Sequence, residues 1–430
     1  MNSVDVLLIN PPTNRQYKKD MTSMPPLGQL YIAAHLKKEG FSCEFVDLAV
    51  DFYSKNEFIE LLLDKRPKIV GLATYAESWS TVHILSDLIK KYLPDTVQVA
   101  GGAFASFAYE KILSTSHVSF VIVGEGEFTF AELSSCILSN TCTIEDVNGI
   151  VFIKNGNIIS TEKRERIKDL DLLEYPDRSL IKKENYLYPI TISTSRGCPG
   201  DCIFCSSRAF WGHKVIFRSV LSILEEIRQA TRDMGLNMFF IVDDTFTANK
   251  KRAIEFCELL SKEPERYYWG CESRADVVDE CLIQKLSNAG CKKIQFGMES
   301  SDNTILKQIG KKVTFEQIEN AVQVAQKYKF DINISFIIGH PFDTKETVEK
   351  TMRDALYLRK KYGVNLFCSV LTPFPGTPIH DRAKEYGIKI LSDDYDKYTL
   401  DNVIINTNYL TSNEIREYYQ YFINAMRKEK

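Results

Sequence analysis

The sequence contains no long hydrophobic run and no marked excess of charge of one sign. No apolar stretch approaches the roughly 18 residues of a membrane-spanning helix, and 54 Lys and Arg against 57 Asp and Glu leave a net charge of -3. The first residues, MNSVDVLLIN, lack a basic segment followed by a cleavage site, so we expect no secretory signal. These absences disfavour a membrane protein and a nucleic-acid-coating surface and favour a cytoplasmic protein.

Cysteine is not scarce, but it is unevenly distributed. The chain has 11 cysteines, an odd number, and in a reducing compartment isolated cysteines are mostly small buried hydrophobic side chains. We expect this of eight that stand singly: Cys43, Cys136, Cys142, Cys257, Cys271, Cys281, Cys291 and Cys368. The other three, Cys198, Cys202 and Cys205, lie together in the segment TSRGCPGDCIFCSSRAFWG.

The first part of the chain alternates apolar, β-branched runs with helical patterns. Five such runs are VDVLLIN, CEFVDL, KIVGLAT, TVQVAGG and VSFVIVGEGE, and one intervening helix is predicted from about Gly28 to Glu39. Continuous apolar strands in this alternation are typical of a parallel, doubly wound sheet with helices on both faces. The sequence therefore predicts an α/β domain of the Rossmann or flavodoxin-like type over residues 1–142.

Residues 143–189 interrupt this rhythm. The segment GIVFIKNGNIIST predicts a hairpin in which Asn155 and Gly156 form the turn, and the charged stretch after it reads as a linker. Six further strand-like runs over residues 190–384 predict an incomplete parallel (β/α)6 barrel: ITISTS, MFFIVDD, YYWGCES, KIQFGMES, INISFIIGH and LFCSVLTP. Residues 385–430 form a C-terminal extension ending in a helix from about Ser412 to Arg427, which we expect to pack on the barrel.

Chemistry-bearing residues follow the ends of these six runs. The cysteine cluster follows the first, Asp243 and Asp244 the second, Arg274 the third, Glu299 the fourth, and His340 with Pro341 the fifth. In parallel β/α barrels the active site lies at the carboxyl ends of the strands. We therefore expect these side chains to form one site.

The spacing of the three cysteines limits the metal they can hold. Structural zinc takes four ligands, and only three thiolates are close here unless His213 completes the set. A disulfide framework is not favoured in a cytoplasmic chain with an odd count. Three thiolates can instead hold three irons of a four-iron cluster and leave the fourth iron open to another ligand.

The segment CPGDCIFC, with Phe204 between the last two cysteines, resembles the signature loop of the radical SAM superfamily. The resemblance implies a [4Fe-4S] cluster on Cys198, Cys202 and Cys205, with S-adenosylmethionine (SAM) bound to the open iron. It also implies reductive cleavage of SAM to methionine and a 5'-deoxyadenosyl radical that abstracts hydrogen from a substrate. The barrel predicted around the cysteines supports the resemblance.

The same resemblance assigns SAM-contacting residues. It implies that the backbone of Phe204 contacts adenine, that Asp243 or Asp244 binds the ammonium group, and that Glu299 approaches the ribose or methionine end. The two aspartates could instead cap the next helix, and Arg274 could pair with the SAM carboxylate or with Glu299. The segment around Pro341 resembles the one that flanks adenine, with His340 either donating to substrate or filling space.

The N-terminal domain resembles the cobalamin-binding domain that is fused to some radical SAM enzymes. The segments INPP, PPLGQLYIAAHLKKEGFSCEFVD, VAGGAFAS and VGEGEFTFAEL carry this resemblance. It implies that Thr74 and Tyr75 lie under the corrin, and that glycines border its ring or its dimethylbenzimidazole tail: Gly101, Gly102, Gly124 and Gly126.

One departure from cobalamin proteins is visible. The DxHxxG motif that supplies a histidine to cobalt is absent after the first strand, where Asn10-Pro11-Pro12-Thr13-Asn14-Arg15 stands instead. Members of this subgroup bind cobalamin without a protein ligand to cobalt, or keep the domain as a scaffold without a corrin. Glycine after a parallel strand is also ordinary turn chemistry, so the glycines fit both outcomes.

We interpret the chain as a cobalamin-dependent radical SAM enzyme that methylates an unactivated carbon. The resemblance implies that one SAM methylates the corrin and that a second yields the radical, after which the substrate radical takes the methyl group. A dehydration, epimerisation or ring rearrangement on the same scaffold is the alternative within enzymes, and a cofactor-binding sensor without catalysis is the alternative outside them.

The expected partners follow from this chemistry. A low-potential cluster implies a flavodoxin or ferredoxin as electron donor. No cysteine follows Cys368, so a C-terminal domain carrying auxiliary clusters is not expected. This absence favours a small metabolite or natural-product intermediate as the substrate over a protein or nucleic acid.

Overall fold

The computed structural model describes residues 3–12, 24–51, 53–139 and 142–428. Contacts between Cα atoms divide the chain into two compact units, Met1–Pro189 and Ile190–Lys430. Within the described ranges, every helix is too short or too polar to span a lipid bilayer. Thr13, Asn14 and Arg15, part of the segment that lacks the histidine motif, lie outside the described residues.

Among its described residues, the first unit has seven strands and five helices. The strands are β1 (Val6–Asn10), β2 (Cys43–Asp47), β3 (Ile69–Ala73), β4 (Val97–Gly101), β5 (Phe120–Ile122), β6 (Ile150–Lys154) and β7 (Asn157–Ser160). The helices are α1 (Leu27–Lys38), α2 (Lys55–Lys65), α3 (Trp79–Tyr92), α4 (Ala103–Thr115) and α5 (Glu127–Ser139).

The strands form one sheet in the order β2-β1-β3-β4-β5-β6-β7. The first five are parallel, and β1 pairs with both β2 and β3. All five residues of β1 are buried, as expected for a strand covered on both faces by helices. The predicted doubly wound domain is confirmed, with the five-strand order of flavodoxin-like folds.

The hairpin β6–β7 extends this sheet instead of interrupting it. β6 pairs antiparallel with β5, and the rings of Phe120 and Phe152 lie 5.6 Å apart. Asn155 and Gly156 both have positive φ, 52° and 77°, which confirms the predicted turn. The following segment also packs on the unit, because Lys37 pairs with Asp177 at 2.6 Å.

The expectation that Cys136 and Cys142 are isolated is wrong. The structure joins them in a disulfide across the end of α5, with their Cα atoms 5.0 Å apart, a separation that suits a disulfide. A spacing of six residues gave no sign of this pairing. Cys43, Cys257, Cys271 and Cys291 are free and buried, as expected, whereas Cys281 is free but exposed and Cys368 is free and half-buried.

The second unit has ten strands and nine helices among the described residues. The strands are β8 (Thr191–Ile192), β9 (Ser195–Arg196), β10 (Ile216–Phe217), β11 (Met238–Ile241), β12 (Tyr268–Ser273), β13 (Cys291–Glu299), β14 (Asp331–Ile338), β15 (Asn365–Val370), β16 (Lys389–Ile390) and β17 (Ile405–Asn406). The helices are α6 (Ser206–Trp211), α7 (Val220–Met234), α8 (Lys250–Leu260), α9 (Glu280–Asn288), α10 (Asn303–Gln308), α11 (Phe315–Lys327), α12 (Lys345–Tyr362), α13 (Pro378–Asp381) and α14 (Ser412–Lys428).

Six strands form a parallel sheet in sequence order, from β8 and β11 through β12, β13 and β14 to β15. The predicted partial barrel is confirmed, and in the part of the chain described here the edge strands β8 and β15 do not pair to close it. Side chains alternate between the two faces along the middle of these strands. In β13 and β14, for example, Phe296 and Phe336 are fully buried whereas Gln295 and Ser335 are partly exposed.

The buried face packs on helices. Phe336 meets Phe422 of α14 edge to face, with ring centroids 4.7 Å apart, so the C-terminal helix packs on the sheet as predicted. We call the opposite face of the sheet, which carries Glu272, Gln295, Gly297, Asn333 and Ser335, the inner face.

Candidate functional site

The three clustered cysteines lie in the loop between β9 and α6, beyond the carboxyl end of β8. All three are free and half-buried. A Cβ atom built on Gly200 would lie 3.4 Å from Cys198 Sγ and 3.8 Å from Cys202 Sγ, so the thiols border a hollow that glycine leaves open. Burial raises the pKa of Cys202, and it raises the pKa of Cys205 to about 12. Ligation by these thiols therefore has to displace their protons.

The zinc alternative is not supported by the geometry. Among the described residues, no three His, Cys, Asp or Glu side chains converge closely enough to hold a single metal ion. His213 lies 2.8 Å from Arg208 and 3.7 Å from Asp201, away from the thiols. Three soft thiolates spread around a hollow suit a polynuclear iron-sulfur cluster better than one zinc ion.

Asp243 fixes the chain just before the cysteine loop. Its carboxylate accepts hydrogen bonds from Thr194 N at 2.6 Å and Ser195 N at 3.0 Å, and from both hydroxyl groups of these residues. It is 2% exposed, and burial raises its pKa despite these donors. Asp243 is therefore already committed to the protein.

Asp244 points to the other side of the strand end. It accepts a hydrogen bond from Ser207 Oγ at 2.7 Å, which ties α6 to the end of β11. The residue keeps an exposed edge, although burial of the rest of the carboxyl raises its pKa. Neither aspartate caps the next helix, since Asn249 caps α8 through its bond from Arg252 N. That alternative is therefore wrong.

The segment after α10 supports the cysteine loop from a second direction. Ile203 N donates to Ile309 O at 3.0 Å, and Lys312 pairs with Asp201 at 2.5 Å. Gly310 has φ +76°, and a Cβ atom there would fall 2.5 Å from the backbone oxygen of Asp201. The loop can lie this close only because residue 310 is glycine.

Arg274 lies beside the thiols but does not contact Glu299. A Cβ atom on Gly200 would lie 3.3 Å from Arg274 Nη1, and the guanidinium makes a two-point ion pair with Asp276 at 3.0 and 2.8 Å. Burial alone would lower the pKa of Arg274, but the charge and hydrogen bonds of Asp276 raise it. The alternative in which Arg274 pairs with Glu299 is therefore wrong, because Asp276, two residues away, pairs with the guanidinium.

Glu299 pairs instead with Lys311, which the sequence did not single out. Lys311 Nζ lies 2.8 Å from Glu299 Oε1, and both side chains are largely buried. Burial would lower the pKa of Lys311, but the Glu299 and Cys202 charges outweigh it and raise the pKa. Glu299 also has φ +64° at a register shift between β13 and β14, so the strand end is bent where its carboxylate enters the site.

Phe204, His340 and Pro341 form a second side of the site. The rings of Phe204 and His340 lie 5.6 Å apart, and His340 Nε2 lies 3.4 Å from the backbone oxygen of Glu299. His340 and Pro341 are buried, so His340 packs between these groups. Its Nδ1 has no hydrogen-bond partner among the described residues.

Glu272 is a further inner-face carboxylate that the sequence analysis missed. It accepts a hydrogen bond from Gln295 Nε2 at 3.3 Å. Burial first, and then the charges of Asp244 and Glu299, raise its pKa to about 7. A glutamate inside the apolar run YYWGCES was the available sequence signal, because alternation places residue 272 on the face opposite the buried Trp269 and Cys271.

The carboxyl edge of the first unit gathers the residues expected to border a corrin. Thr74 Oγ1 donates to Gly101 O at 2.9 Å, so β3 and β4 are tied together at their ends. Gly102 has φ +109°, and a Cβ atom there would lie 3.1 Å from Thr74 O. Ser106 Oγ accepts from Gly124 N at 3.0 Å, which joins this edge to the end of β5.

The four glycines differ in what they permit. A Cβ atom on Gly124 would meet nothing within 4 Å, and one on Gly101 only Ile122 at 4.0 Å, so both leave bare backbone. A Cβ atom on Gly126 would lie 3.0 Å from Ile32 of α1, which makes Gly126 a glycine for helix packing. Tyr75 is 44% exposed at the same edge.

A polar network closes the end of β1 and β2. Asp47 accepts from Asn10 Nδ2 at 2.8 Å and from the Tyr186 hydroxyl at 2.7 Å. Asn10 Oδ1 is buried without a hydrogen-bond partner in the described part of the chain. A bare glycine backbone, an exposed tyrosine and an unsatisfied amide oxygen fit a large polar ring with amide groups.

Two family models match the chain. The Radical SAM superfamily matches residues 192–355, and the B12 binding domain matches residues 21–134. An uncharacterised methyltransferase from Pyrococcus horikoshii is 30% identical over 96% of this chain and 90% of its own length.

Two further proteins show a wider range of chemistry on this architecture. The anaerobic magnesium-protoporphyrin IX monomethyl ester cyclase of Cereibacter sphaeroides is 28% identical over 91% of this chain, which spans 65% of the cyclase. The structure of the cobalamin-dependent S-adenosylmethionine radical enzyme OxsB with aqua-cobalamin bound has a TM-score of 0.81. The aligned region covers 98% of this chain and 67% of the OxsB chain at 20% sequence identity. This likeness establishes that the two proteins share a fold.

Proposed function

The chain belongs to the radical SAM superfamily and carries a B12-binding domain, and from this premise we propose that it methylates an unactivated carbon of a small molecule. The observation that carries the proposal is the group of three free thiols at the carboxyl ends of the sheet, two of which lie beside Gly200. The group occurs in one chain with a B12-binding domain, and a relative aligned over 90% of its own length is named an uncharacterised methyltransferase.

Cys198, Cys202 and Cys205 would hold a [4Fe-4S] cluster. When bound, the cluster supplies the electron that cleaves SAM reductively, and cobalamin carries the methyl group. The chain's task is to hold the thiols in place, which the hydrogen bonds of Asp243 and the close approach of Gly310 support.

The two aspartates differ in how far other groups of the protein already occupy them, and Arg274 and Glu299 would bind SAM while keeping their partners Asp276 and Lys311. Asp244 keeps an exposed edge and would bind the ammonium group, whereas Asp243 is a positioning residue because four donors already occupy it. Arg274, beside the thiols, would face the SAM carboxylate. Glu299 would bind the ribose or methionine end, with Phe204 and Pro341 flanking adenine.

The corrin would lie on the carboxyl edge of the first unit. Gly101 and Gly124 support this placement, since both leave room for close approach, and Gly102 holds the edge in shape against Thr74. Tyr75 would lie under the ring. Gly126 packs against Ile32. It would affect the corrin site indirectly, through the position of α5.

The electron source belongs to the same proposal. Reductive cleavage needs a low-potential donor, and a flavodoxin or ferredoxin fits that need. An oxygen-sensitive cluster and such a donor favour a cytoplasmic setting.

A second candidate function has one specific observation in its favour. The name of the similar cyclase describes a cyclisation and not a methyl transfer. On that alternative, the chain would cleave SAM and rearrange or oxidise its substrate without transferring a methyl group.

Anaerobic reconstitution with iron, sulfide and hydroxocobalamin tests the proposal. We expect four irons and one cobalt per chain, and on addition of SAM and reductant both 5'-deoxyadenosine and S-adenosylhomocysteine. Cys205→Ala should lose iron, and the control Cys368→Ala should keep it. 5'-Deoxyadenosine without S-adenosylhomocysteine would favour the second candidate, and a protein that binds its cofactors but cleaves no SAM would leave only a sensor.

A further inference from the structure

Glu272 is an inner-face carboxylate that has no role among the proposed SAM contacts. It is the fifth of the six residues of β12, near the carboxyl end of the strand, and its side chain is partly exposed while Cys271 and Ser273 on either side are buried. Its carboxylate accepts a hydrogen bond from Gln295 Nε2 at 3.3 Å. The carboxylate thus faces the interior of the partial barrel and not its helices.

Glu272 begins a polar row that crosses four strands. Register pairs Glu272 with Gln295, Gln295 with Asn333, and Asn333 with Asn365. Neighbouring strands lie about 4.8 Å apart, so the row extends for about 14 Å. A row of one carboxyl and three amide side chains offers hydrogen bonds to a polar molecule and little to an apolar one.

The charge near Glu272 is unbalanced. The charged groups that act on it are the carboxylates of Asp244 and Glu299 and the ammonium of Lys311. Lys311 is already paired with Glu299 at 2.8 Å. The inner face around Glu272 therefore carries excess negative charge, which adds to burial in raising the pKa of this carboxyl, and a bound cation would balance that charge.

We propose that Glu272 binds a protonated amine of the substrate, with Gln295 and Asn333 bonding the polar groups beside it. The substrate class is then a small polar amine, and a lipid or a carboxylate-rich ring would be a poor match for this face. The inference rests on the proposed function, because it places the substrate in the barrel of a SAM-cleaving enzyme.

Three matched probes test this assignment on the reconstituted holoprotein at about pH 8, where Glu272 is ionised. They are trans-4-aminocyclohexanol, trans-cyclohexane-1,4-diol and trans-4-hydroxycyclohexanecarboxylate, which differ only in one group. Calorimetric titration should give the amine an affinity about ten-fold or more above that of the diol, and the carboxylate the weakest.

Two variants identify the residue responsible. Glu272→Gln should lower the affinity for the amine to that of the diol, a loss of about ten-fold. The control Glu258→Gln removes a carboxylate on α8, where it pairs with Lys285 at 2.7 Å, and should leave all three affinities unchanged. Cluster content and SAM affinity of Glu272→Gln should match those of the unmodified protein.

Several outcomes would overturn the assignment. Equal affinities for amine and diol, an unaltered amine affinity in Glu272→Gln, or an equal loss in Glu258→Gln would each do so. A loss of SAM affinity in Glu272→Gln would place this carboxylate in the SAM site instead. Failure of the unmodified protein to bind SAM or iron would instead contradict the proposed function, so the two failures are separable.

Discussion

Lys311 Nζ lies 2.8 Å from Glu299 Oε1, and Gly297 provides the space in which the two side chains meet. A Cβ atom on Gly297 would fall 2.4 Å from Glu299 Oε1 and 2.7 Å from Lys311 Nζ. The ion pair at the end of β13 therefore depends on a residue without a side chain.

Gly297→Ala should displace this pair without unfolding the chain. The atoms that a new methyl group would meet are the ends of flexible side chains, so we expect a loss of stability of about 1–2 kcal/mol. SAM affinity should fall although the protein stays folded, because Glu299 would leave its position. Calorimetric titration of SAM and thermal unfolding measure the two effects, and unchanged SAM affinity with a lowered melting temperature would contradict this role for Glu299.

Lys311→Met should destabilise the protein strongly, because it leaves the carboxylate of Glu299 buried without its partner. Breaking a buried pair in this way costs about 3–5 kcal/mol. Adding Glu299→Gln should recover part of that loss, with a coupling of about 1–3 kcal/mol in a double-mutant cycle. Thermal unfolding of the four apo proteins gives the coupling, and additive losses would show that the two side chains act independently.

Gly310→Ala should prevent the cysteine loop from taking its position. The new Cβ would lie 2.5 Å from the backbone oxygen of Asp201, and a backbone atom cannot yield as a side-chain end can. The matched control is Gly363→Ala, which has a similar φ of +71° but meets nothing within 4 Å. Both variants should lose about 1 kcal/mol through strain in φ, but only Gly310→Ala should lose reconstituted iron.

Much of the fold and part of the site could be predicted from sequence. The parallel, doubly wound sheet followed from apolar runs, since parallel strands covered on both faces carry them continuously, and the clustered thiols were visible as a motif. The partners of Asp243 and Glu299 could not be predicted. Hydrogen bonds such as Asp243 to Thr194 join distant parts of the chain, and residue spacing carries no information about them.

The disulfide is a second feature that spacing did not indicate. Cys136 and Cys142 are joined, so two of the 11 cysteines should not react when the apo chain is unfolded without reductant. Thiol titration should then find nine free cysteines, and eleven after reduction. The double variant Cys136→Ser with Cys142→Ser should give nine under both conditions. Eleven reactive thiols in the unreduced protein would show that the pair is open in solution.

The raised pKa of Glu272 makes the stability of the apo protein depend on pH. The folded chain holds this proton up to about pH 7, whereas the unfolded chain releases it near the ordinary value of 4.5. The folded state therefore binds more protons between these values. Stability contributed by Glu272 is full below about pH 4.5 and is lost as the pH rises to about 7, by up to about 3 kcal/mol.

Glu272→Gln removes that loss, because the amide does not ionise. The variant should gain stability relative to the unmodified protein as the pH rises from 5 to 8 by about the amount that Glu272 loses, a gain of several degrees in melting temperature. Scanning calorimetry of both apo proteins across this range measures the difference, and Glu258→Gln serves as the control. A difference that stays constant with pH would mean that Glu272 ionises at its ordinary pKa in the folded chain, and that a substrate cation is not needed to balance it.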